Sequence, residues 1–139
     1  WNTMLKYRVW DEENKRFLDA EEFIIIPNGR VLVGDWMTGN DFSYGYDEPE
    51  RFILMQSTGL IDKNGVEILE GDIVKVTDDY GDTNFSDGGI GTICGLDDLY
   101  MWYIDGQVHN GLYDIDQCYY IEVIGNIYEN QELLGDTDA

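Results

Sequence analysis

The sequence predicts a mainly β fold, in which β-hairpins lead into a partly open, SH3-like barrel and a short helical turn follows near the C-terminus. Short runs rich in β-branched and aromatic residues recur along the 139-residue chain, and turn signals such as Asn64-Gly65 separate them. The order Gly71-Asp72-Ile73-Val74, a polar loop, Gly91-Thr92-Ile93 and an aromatic strand over residues 99–104 is typical of small SH3-like barrels. Barrel closure removes exposed sheet edges.

The first part of the chain predicts two hairpins. In residues 4–10 apolar and polar side chains alternate, so Leu5, Tyr7 and Val9 are expected on one face of a half-buried strand. A polar turn follows, and Pro27-Asn28-Gly29 then joins two hydrophobic runs as a second hairpin. The predicted strands here are residues 4–10, 15–18, 23–26, 30–33 and 51–56.

Residues 34–50 lack hydrophobic periodicity, and Gly, Asn, Asp, Ser and Tyr dominate their composition. A stretch of this length is unusual for a simple connection in a compact domain. Phe42, Tyr44 and Tyr46 alternate with small residues. The segment is interpreted either as an irregular strand or loop packed on the core, or as an exposed aromatic contact surface.

The rest of the chain predicts the barrel. Asn64-Gly65 indicates a two-residue type I′ turn, which needs positive φ at both positions. Glu70-Gly71-Asp72 interrupts the chain again, and Asn126 is expected to cap a helical turn from Tyr128 to Leu134. The predicted strands after the hairpin are residues 73–76, 90–94, 99–104, 111–113 and 118–124.

The charge is strongly negative and unevenly distributed. The formal net charge is -21, yet 43% hydrophobic and 14% aromatic residues indicate a folded domain and not a disordered acidic chain. Residues 1–75 hold all eight basic residues and 15 acidic ones, whereas residues 76–139 hold 14 acidic residues and no Lys or Arg. We therefore expect an N-terminal β-hairpin subdomain at residues 1–55, which includes the irregular loop, and a barrel-like acidic subdomain at residues 56–139, or one continuous domain.

Several stretches together resemble the YopX family of phage and prophage proteins. The central match comprises Thr58-Gly59-Leu60, Asp62-Lys63-Asn64-Gly65 and Glu70-Gly71-Asp72-Ile73-Val74. Residues 6–11 resemble the opening strand of the family and residues 122–130 its closing one, so the resemblance spans nearly the whole chain. It implies a small β-rich protein carried by mobile elements, and it brings no catalytic signature with it.

The sequence predicts no catalytic residue, no cofactor and no metal site, so the protein is not expected to be an enzyme. Cys94 and Cys118 lack metal-ligand spacing and are interpreted as free thiols in a reducing cytoplasm. His109 is the only histidine, which excludes the usual triads and zinc sites within one chain. No leader and no apolar run near about 18 residues is present, which predicts a cytoplasmic protein without membrane contact.

The aspartate-rich stretch from Asp78 to Asp87 suggests calcium binding but does not fit an EF-hand. Tyr80 stands at the third ligand position, and a loop that starts at Asp82 lacks the Gly at position six and the Glu at position twelve. Irregular weak cation binding stays open.

Two functions remain for a non-catalytic acidic protein. In the first, carboxylates on a β scaffold imitate phosphates and occupy the basic groove of a host nucleic-acid-handling protein, such as a CRISPR effector or a restriction enzyme. Direct nucleic-acid binding is excluded because a surface of this charge repels duplex nucleic acid. In the second, the protein is a structural or adaptor module that forms a homo-oligomer. The candidate contact residues of the first are Asp78, Asp79, Asp82, Asp87, Asp97, Asp98, Asp105, Asp114 and Asp116.

Overall fold

A computed structural model of the protein describes residues 6–35, 40–44, 48–76, 89–95, 101–107, 110–112 and 120–138. These residues form antiparallel sheets, with a partly open barrel and a 3-10 segment at the C-terminal end, which confirms the predicted fold class. The chain divides into two compact units. We call residues 7–55 the N-terminal unit, and Lys6 with the described residues from Gln56 onwards the C-terminal unit.

In chain order the strands are β1 (Tyr7–Asp11), β2 (Arg16–Phe17), β3 (Phe23–Ile25), β4 (Val31–Asp35), β5 (Asn40–Tyr44), β6 (Phe52–Ile61), β7 (Glu67–Leu69), β8 (Asp72–Val76), β9 (Gly89–Cys94), β10 (Tyr103–Gly106), β11 (Asn110–Gly111) and β12 (Ile121–Asn126). The 3-10 segment is Gln131–Asp138, with a kink at Gly135.

The N-terminal unit contains two small groups of antiparallel strands. β1 lies between β2 and β6, and β4 lies between β3 and β5. The predicted alternation in the first strand holds only in part, because Val9 is buried whereas Tyr7 is 40% exposed. Trp10 and Asp11 are both buried although they point to opposite faces of β1, so both faces are covered at the end of this strand. The core of the unit consists of Val9, Leu18, Val31 and Phe52.

Trp10 anchors the first hairpin. Its indole Nε1 donates a hydrogen bond of 2.8 Å to Glu12, and its ring meets Phe17 edge-on with the centroids 4.9 Å apart. Phe17 lies directly opposite Trp10 in the pairing of β1 with β2. The contact is therefore a cross-strand aromatic pair, which fixes the register of these two short strands.

A buried ion pair holds the end of β1 to the start of β6. Asp11 accepts hydrogen bonds from Arg51 at 3.0 and 3.3 Å, and from the backbone N–H groups of Glu13 and Asn14. Burial raises the pKa of Asp11, but these hydrogen bonds outweigh it and hold the pKa below its usual value of 3.8. Arg51 also lies 3.0 Å from Glu13 and 3.8 Å from Glu48, so one guanidinium faces three carboxylates.

The hairpin of β6 and β7 turns differently from the prediction. The Gly65 N–H donates to the Asp62 carbonyl at 3.1 Å, and the Asp62 N–H donates to the Val66 carbonyl at 2.8 Å. Gly65 has a φ of 80°, whereas Lys15 is the only non-glycine residue with positive φ among those described. The predicted type I′ turn is therefore wrong, because Asn64 keeps a negative φ. A three-residue loop closed by one left-handed glycine needs a single positive φ.

The hairpin of β3 and β4 repeats this geometry and confirms the second predicted hairpin. The Gly29 N–H donates to the Ile26 carbonyl at 2.8 Å, and the Ile26 N–H donates to the Arg30 carbonyl at 3.0 Å. Gly29 has a φ of 87°. The two longest hydrophobic hairpins thus share one turn design.

Part of the segment at residues 34–50 is a strand. Residues 40–44 form β5, which pairs with β4 through an irregular register between Val33 and Asp35. This favours the strand interpretation for these residues. The polar composition of this segment gives no clear strand signal, whereas its backbone pairs with β4. Tyr46 lies outside the described residues, and the aromatic contact surface stays a prediction.

The C-terminal unit is organised by a five-stranded antiparallel sheet in the order β11-β10-β9-β8-β12. Val74, Ile93 and Ile104 are fully or almost fully buried on one face of this sheet, and Trp102 packs against the same cluster. β10 begins at Tyr103, later than the predicted strand at residues 99–104. Among the described residues, the buried cluster of this unit consists of Ile68, Val74, Val76, Ile93, Ile104, Leu112 and Ile121.

The carboxylate of Asp62 ties the β6–β7 hairpin to β12. Asp62 is 2% exposed. Its Oδ1 accepts the backbone N–H groups of Asn64 at 2.9 Å and Val66 at 2.8 Å, and its Oδ2 accepts that of Val123 at 2.8 Å. Next to this contact, the Lys63 N–H donates to the Ile121 carbonyl at 2.9 Å. One side chain therefore closes the turn and also covers part of the free edge of β12.

Asn126 caps the turn that follows β12, as predicted. Its Oδ1 accepts the N–H groups of Tyr128 at 3.0 Å and Glu129 at 2.9 Å, and its Nδ2 donates to the Glu129 carboxylate. Asn130 forms a further hydrogen bond with Asn126, in which the Asn130 Oδ1 accepts the Asn126 N–H at 3.1 Å. These bonds satisfy the groups that a short helical turn leaves open and set the direction of the 3-10 segment.

We predict that Asp11→Asn lowers the free energy of unfolding by about 2–3 kcal/mol at neutral pH, because Arg51 loses a buried charged partner. The depressed pKa means that the stabilisation is present above pH 3.8 and is lost as the pH falls through the folded-state pKa. The difference in free energy of unfolding between the wild type and the variant should therefore decrease below that pH. Urea titrations at pH 7 and pH 3 measure both effects.

Glu13→Gln is the matched control, since Glu13 contacts the same guanidinium but its side chain is 65% exposed. We expect Glu13→Gln to lower the free energy of unfolding by less than about 1 kcal/mol. Equal losses in the two variants would contradict the assignment of Asp11 as the buried partner.

We predict that Asp62→Ala lowers the free energy of unfolding by about 3 kcal/mol, because three backbone N–H groups lose their shared acceptor, a buried carboxylate. Asn64→Ala changes the exposed neighbour in the same turn and should cost less than about 0.5 kcal/mol. Urea denaturation of both variants gives the comparison. If the two variants unfold at the same urea concentration, the Asp62 carboxylate does not stabilise the hairpin.

Candidate functional site

Asp105 is the one predicted contact residue that the described part of the chain contains. It lies on β10 with an exposed side chain. The structure therefore does not test whether the predicted acidic residues share one surface. The contact residues outside the described ranges are Asp78, Asp79, Asp82, Asp87, Asp97, Asp98, Asp114 and Asp116.

Asp105 lines an open groove of about 840 Å³ in the C-terminal unit. One side of the groove is the sheet surface of β9 and β10, and the other is the segment that follows β12. The residues that line it are Ile90, Thr92, Cys94, Asp105, Gly106, Gln107, Ile127, Leu133, Leu134 and Gly135. The groove joins an apolar lining to one carboxylate, and we call it the Asp105 groove.

The sheet side of the Asp105 groove follows from the alternation in β9. Ile90, Thr92 and Cys94 are half-buried, whereas Ile93 between them points into the core. Asp105 lies directly opposite Thr92 in the pairing of β9 with β10, so both occupy the same face. The sheet thus presents a row of small and apolar side chains beside an exposed carboxylate.

The other side of the groove depends on the contacts that hold the C-terminal segment. The Ile127 N–H donates to the Gly71 carbonyl at 2.9 Å, which ties the segment to the turn before β8. The Leu133 N–H donates to the Asn130 carbonyl at 2.9 Å. Leu133 and Leu134 are consequently placed over the sheet as a half-buried apolar wall.

The electrostatic environment of Cys94 shows the sign of the field in the groove. Burial raises the pKa of the Cys94 thiol above its usual value of 9.0, and the carboxylates of Asp105 and Glu70 raise it further. A hydrogen bond with Tyr103 acts in the opposite direction but is outweighed. Cys94 is a half-buried free thiol, as predicted, and it is held in the protonated form at neutral pH. Cys118 lies outside the described residues.

The C-terminal unit has little positive charge with which to balance its carboxylates. From residue 56 onwards the sequence has 18 acidic residues and two lysines. Lys63 pairs with Glu122 at 3.4 Å, and Lys6 pairs with Glu67 at 3.4 Å. Lys75 lies directly opposite Glu122 in the pairing of β8 with β12. Two of the three described lysines of this unit are therefore engaged in ion pairs with carboxylates.

Neither a metal-binding cluster nor a membrane-spanning helix occurs within the described residues. Among them, no group of three or more His, Cys, Asp or Glu side chains is arranged to hold a metal ion. The aspartate-rich stretch at residues 78–87 and His109 lie outside them. Within the same ranges, no helix combines the length and the apolar character needed to cross a bilayer.

Fold and groove together define a small antiparallel β protein with a barrel-like acidic unit. The chain belongs to the YopX family, whose YopX protein model matches residues 6–135. This confirms the resemblance seen in the sequence. A comparison with curated proteins gives no significant match.

Two crystal structures are similar to this chain over nearly its full length. Protein EF1440 from Enterococcus faecalis is 27% identical, with 96% of this chain and 99% of that chain covered and a TM-score of 0.53. Protein yopX from Bacillus subtilis is 26% identical, with 92% of this chain and 94% of that chain covered and a TM-score of 0.62. The similarity therefore includes both units.

We predict that Asp105→Asn speeds alkylation of Cys94 by iodoacetamide about two- to threefold at pH 8, because removal of a nearby negative charge lowers the pKa of the thiol. The rate is measured by mass spectrometry in a Cys118→Ser background, which leaves a single thiol. Glu50→Gln makes the same change of charge outside the groove and should leave the rate unchanged. An equal rate in all three proteins would contradict the described field.

Proposed function

We propose that the protein binds a host protein through its acidic surface and occupies a basic groove that otherwise receives nucleic acid. The observation that carries the proposal is the charge of the C-terminal unit, in which 18 acidic residues from residue 56 onwards accompany only two lysines. A strongly negative surface repels nucleic acid and attracts the positively charged sites that bind it. Host defence nucleases, including CRISPR effectors and restriction enzymes, are the proposed class of target.

The local pairing of charges supports this proposal. Lys6 and Lys63 are both engaged by carboxylates, while Asp105 is exposed on β10. The carboxylates remain in excess of these lysines, and long-range attraction would speed the encounter with a basic partner. The chain's membership of the YopX family agrees with a small antiparallel β module. Asp97 and Asp98, which precede β10 in the chain, are proposed to extend the acidic surface.

Self-association is the second candidate, and a specific observation favours it. Ile61 at the end of β6 and Val66 in the following turn are 49% and 47% exposed. Two aliphatic side chains on one hairpin offer an apolar contact to a second copy of the chain. In that case the acidity would serve solubility, and the protein would act as a structural or adaptor module.

Capture from a host lysate tests the first candidate. The immobilised protein is expected to retain nucleic-acid-binding proteins at low salt, and short duplex DNA should release them by competition. Because the attraction is electrostatic, capture should fall strongly near about 1 M salt, where the Debye length is about 3 Å. The triple variant Asp97→Asn, Asp98→Asn, Asp105→Asn should capture less than the wild type.

The control is a triple variant of equal charge change in the N-terminal unit, Glu13→Gln, Glu21→Gln, Glu50→Gln. It should retain most of the capture. Equal loss in the two triple variants, or capture that DNA does not compete, would reject nucleic-acid imitation. Light scattering on the same samples separates the alternatives, since a large homo-oligomer that Ile61→Ser disrupts supports assembly instead.

A further inference from the structure

The outer edge of β3 is an uncovered strand edge in the N-terminal unit. β3 is the last strand on one side of the sheet formed by β3, β4 and β5, so no other strand of the described residues pairs with this edge. The pairing of β3 with β4 is regular from Phe23 to Ile25, without a bulge. A regular, apolar strand edge is a template on which a further strand can pair.

The hydrogen bonds of the β3–β4 hairpin determine which backbone groups face outward. The Glu22 carbonyl and the Ile26 N–H both form hydrogen bonds with the backbone of the opposite arm, at 2.9 and 3.0 Å. Hydrogen-bonded and non-hydrogen-bonded positions alternate in an antiparallel pair, so the backbone of Ile24 also faces β4. The N–H and C=O groups of Phe23 and Ile25 therefore point to the uncovered edge.

A second copy of β3 fits this edge in one symmetric register. Pairing about a two-fold axis at Ile24 places Phe23 of each copy opposite Ile25 of the other, and each of these two pairs exchanges two hydrogen bonds. All outward donors and acceptors of both strands are then used. Pro27, which has no N–H, and the turn that ends at Glu22 limit the edge to these three residues.

The same pairing covers an exposed apolar side chain. Ile24 is 39% exposed, and Leu32, directly opposite it on β4, is half-buried. About the two-fold axis the Ile24 residues of the two copies form a non-hydrogen-bonded pair with their Cα atoms about 4.5 Å apart. Two copies therefore form a continuous apolar row of Leu32, both Ile24 side chains and the second Leu32, and the burial of this row favours association.

Charge complementarity between the two ends of β3 favours antiparallel pairing. Asp19, Glu21 and Glu22 precede the strand, and only Glu22 among them has a printed bond to a basic side chain, that of Arg16. Arg30 follows the strand, with no acidic residue between. Antiparallel pairing brings the acidic end of each copy beside the basic end of the other, whereas parallel pairing would bring like ends together.

We propose that two copies of the chain associate through the edges of their β3 strands, which pair antiparallel about Ile24 and join two three-stranded sheets into one of six strands. The contact is small, so the association is weak and depends on concentration. It goes beyond both candidate functions, because it uses neither the acidic residues of the C-terminal unit nor Ile61 and Val66. Nucleic-acid imitation and this association can each hold without the other.

Ionic strength distinguishes this association from the capture of a basic protein. Two chains that each carry a net charge of -21 repel each other, and salt screens the repulsion. In sedimentation experiments we expect a monomer at about 10 μM and a dimer at about 1 mM protein. Dimerisation should strengthen about threefold or more between about 0.05 and 0.5 M salt, whereas capture of host proteins should fall. A chain that stays monomeric at about 1 mM and high salt overturns the proposal.

Two lysine substitutions locate the interface. Ile24→Lys places like charges directly opposite each other across the axis and should weaken dimerisation at least about tenfold. Ile61→Lys is the matched control, because Ile61 is also an exposed isoleucine on a strand, and it should leave dimerisation unchanged. Thermal melts establish that both variants are folded. Dimerisation that Ile61→Lys weakens and Ile24→Lys does not overturns the proposal.

Cysteine crosslinking tests the register in a Cys94→Ser, Cys118→Ser background. Ile24→Cys should give a covalent dimer on mild oxidation, because a Cα separation of about 4.5 Å suits a disulfide. Ile26→Cys changes a residue two positions from the axis, which separates the two copies by about 13 Å along the strands, and it should not crosslink. Equal crosslinking of the two variants overturns the register.

A last measurement uses the unmodified protein and so does not depend on variants that fold. Amide hydrogen exchange is followed by heteronuclear NMR at about 50 μM and about 1 mM protein. In the dilute sample the N–H groups of Phe23 and Ile25 should exchange faster than that of Ile24, which faces β4. In the concentrated sample their exchange should slow about twofold or more. Exchange of Phe23 and Ile25 that does not change with concentration overturns the proposal.

Discussion

The C-terminal unit depends on the buried carboxylate of Asp62. Its oxygens accept N–H groups of the local turn and of β12, so a hairpin and a strand far along the chain share one acceptor. Without it, three backbone N–H groups would lose their shared acceptor, which lowers the stability of the unit. Because β12 also pairs with β8 and leads into the capped turn at Asn126, the wall of the Asp105 groove is positioned downstream of this contact.

In both units, arginine and lysine side chains form local ion pairs with acidic side chains. In the N-terminal unit Arg51 faces three carboxylates and Arg16 forms a bond with Glu22. In the C-terminal unit Lys63 and Glu122 pair across the hairpin and β12. Such pairs contribute modestly to stability when exposed. Pairing does not change the net charge, so the excess of carboxylates persists at long range, which is the property that the proposed function uses.

The sequence predicted most strands and both long hairpins because turn residues and β-branched runs are local signals. It missed the turn type at Asn64, since the Asp62 carboxylate that shapes this loop also bonds to a residue 61 positions away. It left β5 open between an irregular strand or loop and an exposed aromatic contact surface, because residues 34–50 lack hydrophobic periodicity. The groove also escaped prediction: Leu133 resembled part of an ordinary helical turn, and only sheet topology brings it near Asp105. The shared face of the other aspartates stays a prediction.

The surroundings of Trp10 have a practical consequence. This indole is buried against Phe17 and hydrogen-bonded to Glu12, whereas Trp102 packs on the core of the other unit. Each compact unit therefore contains its own intrinsic fluorophore in an apolar setting. In a Trp1→Phe, Trp36→Phe background, replacing either one by phenylalanine leaves only its counterpart to emit, so the melting of the two units can be followed separately by fluorescence.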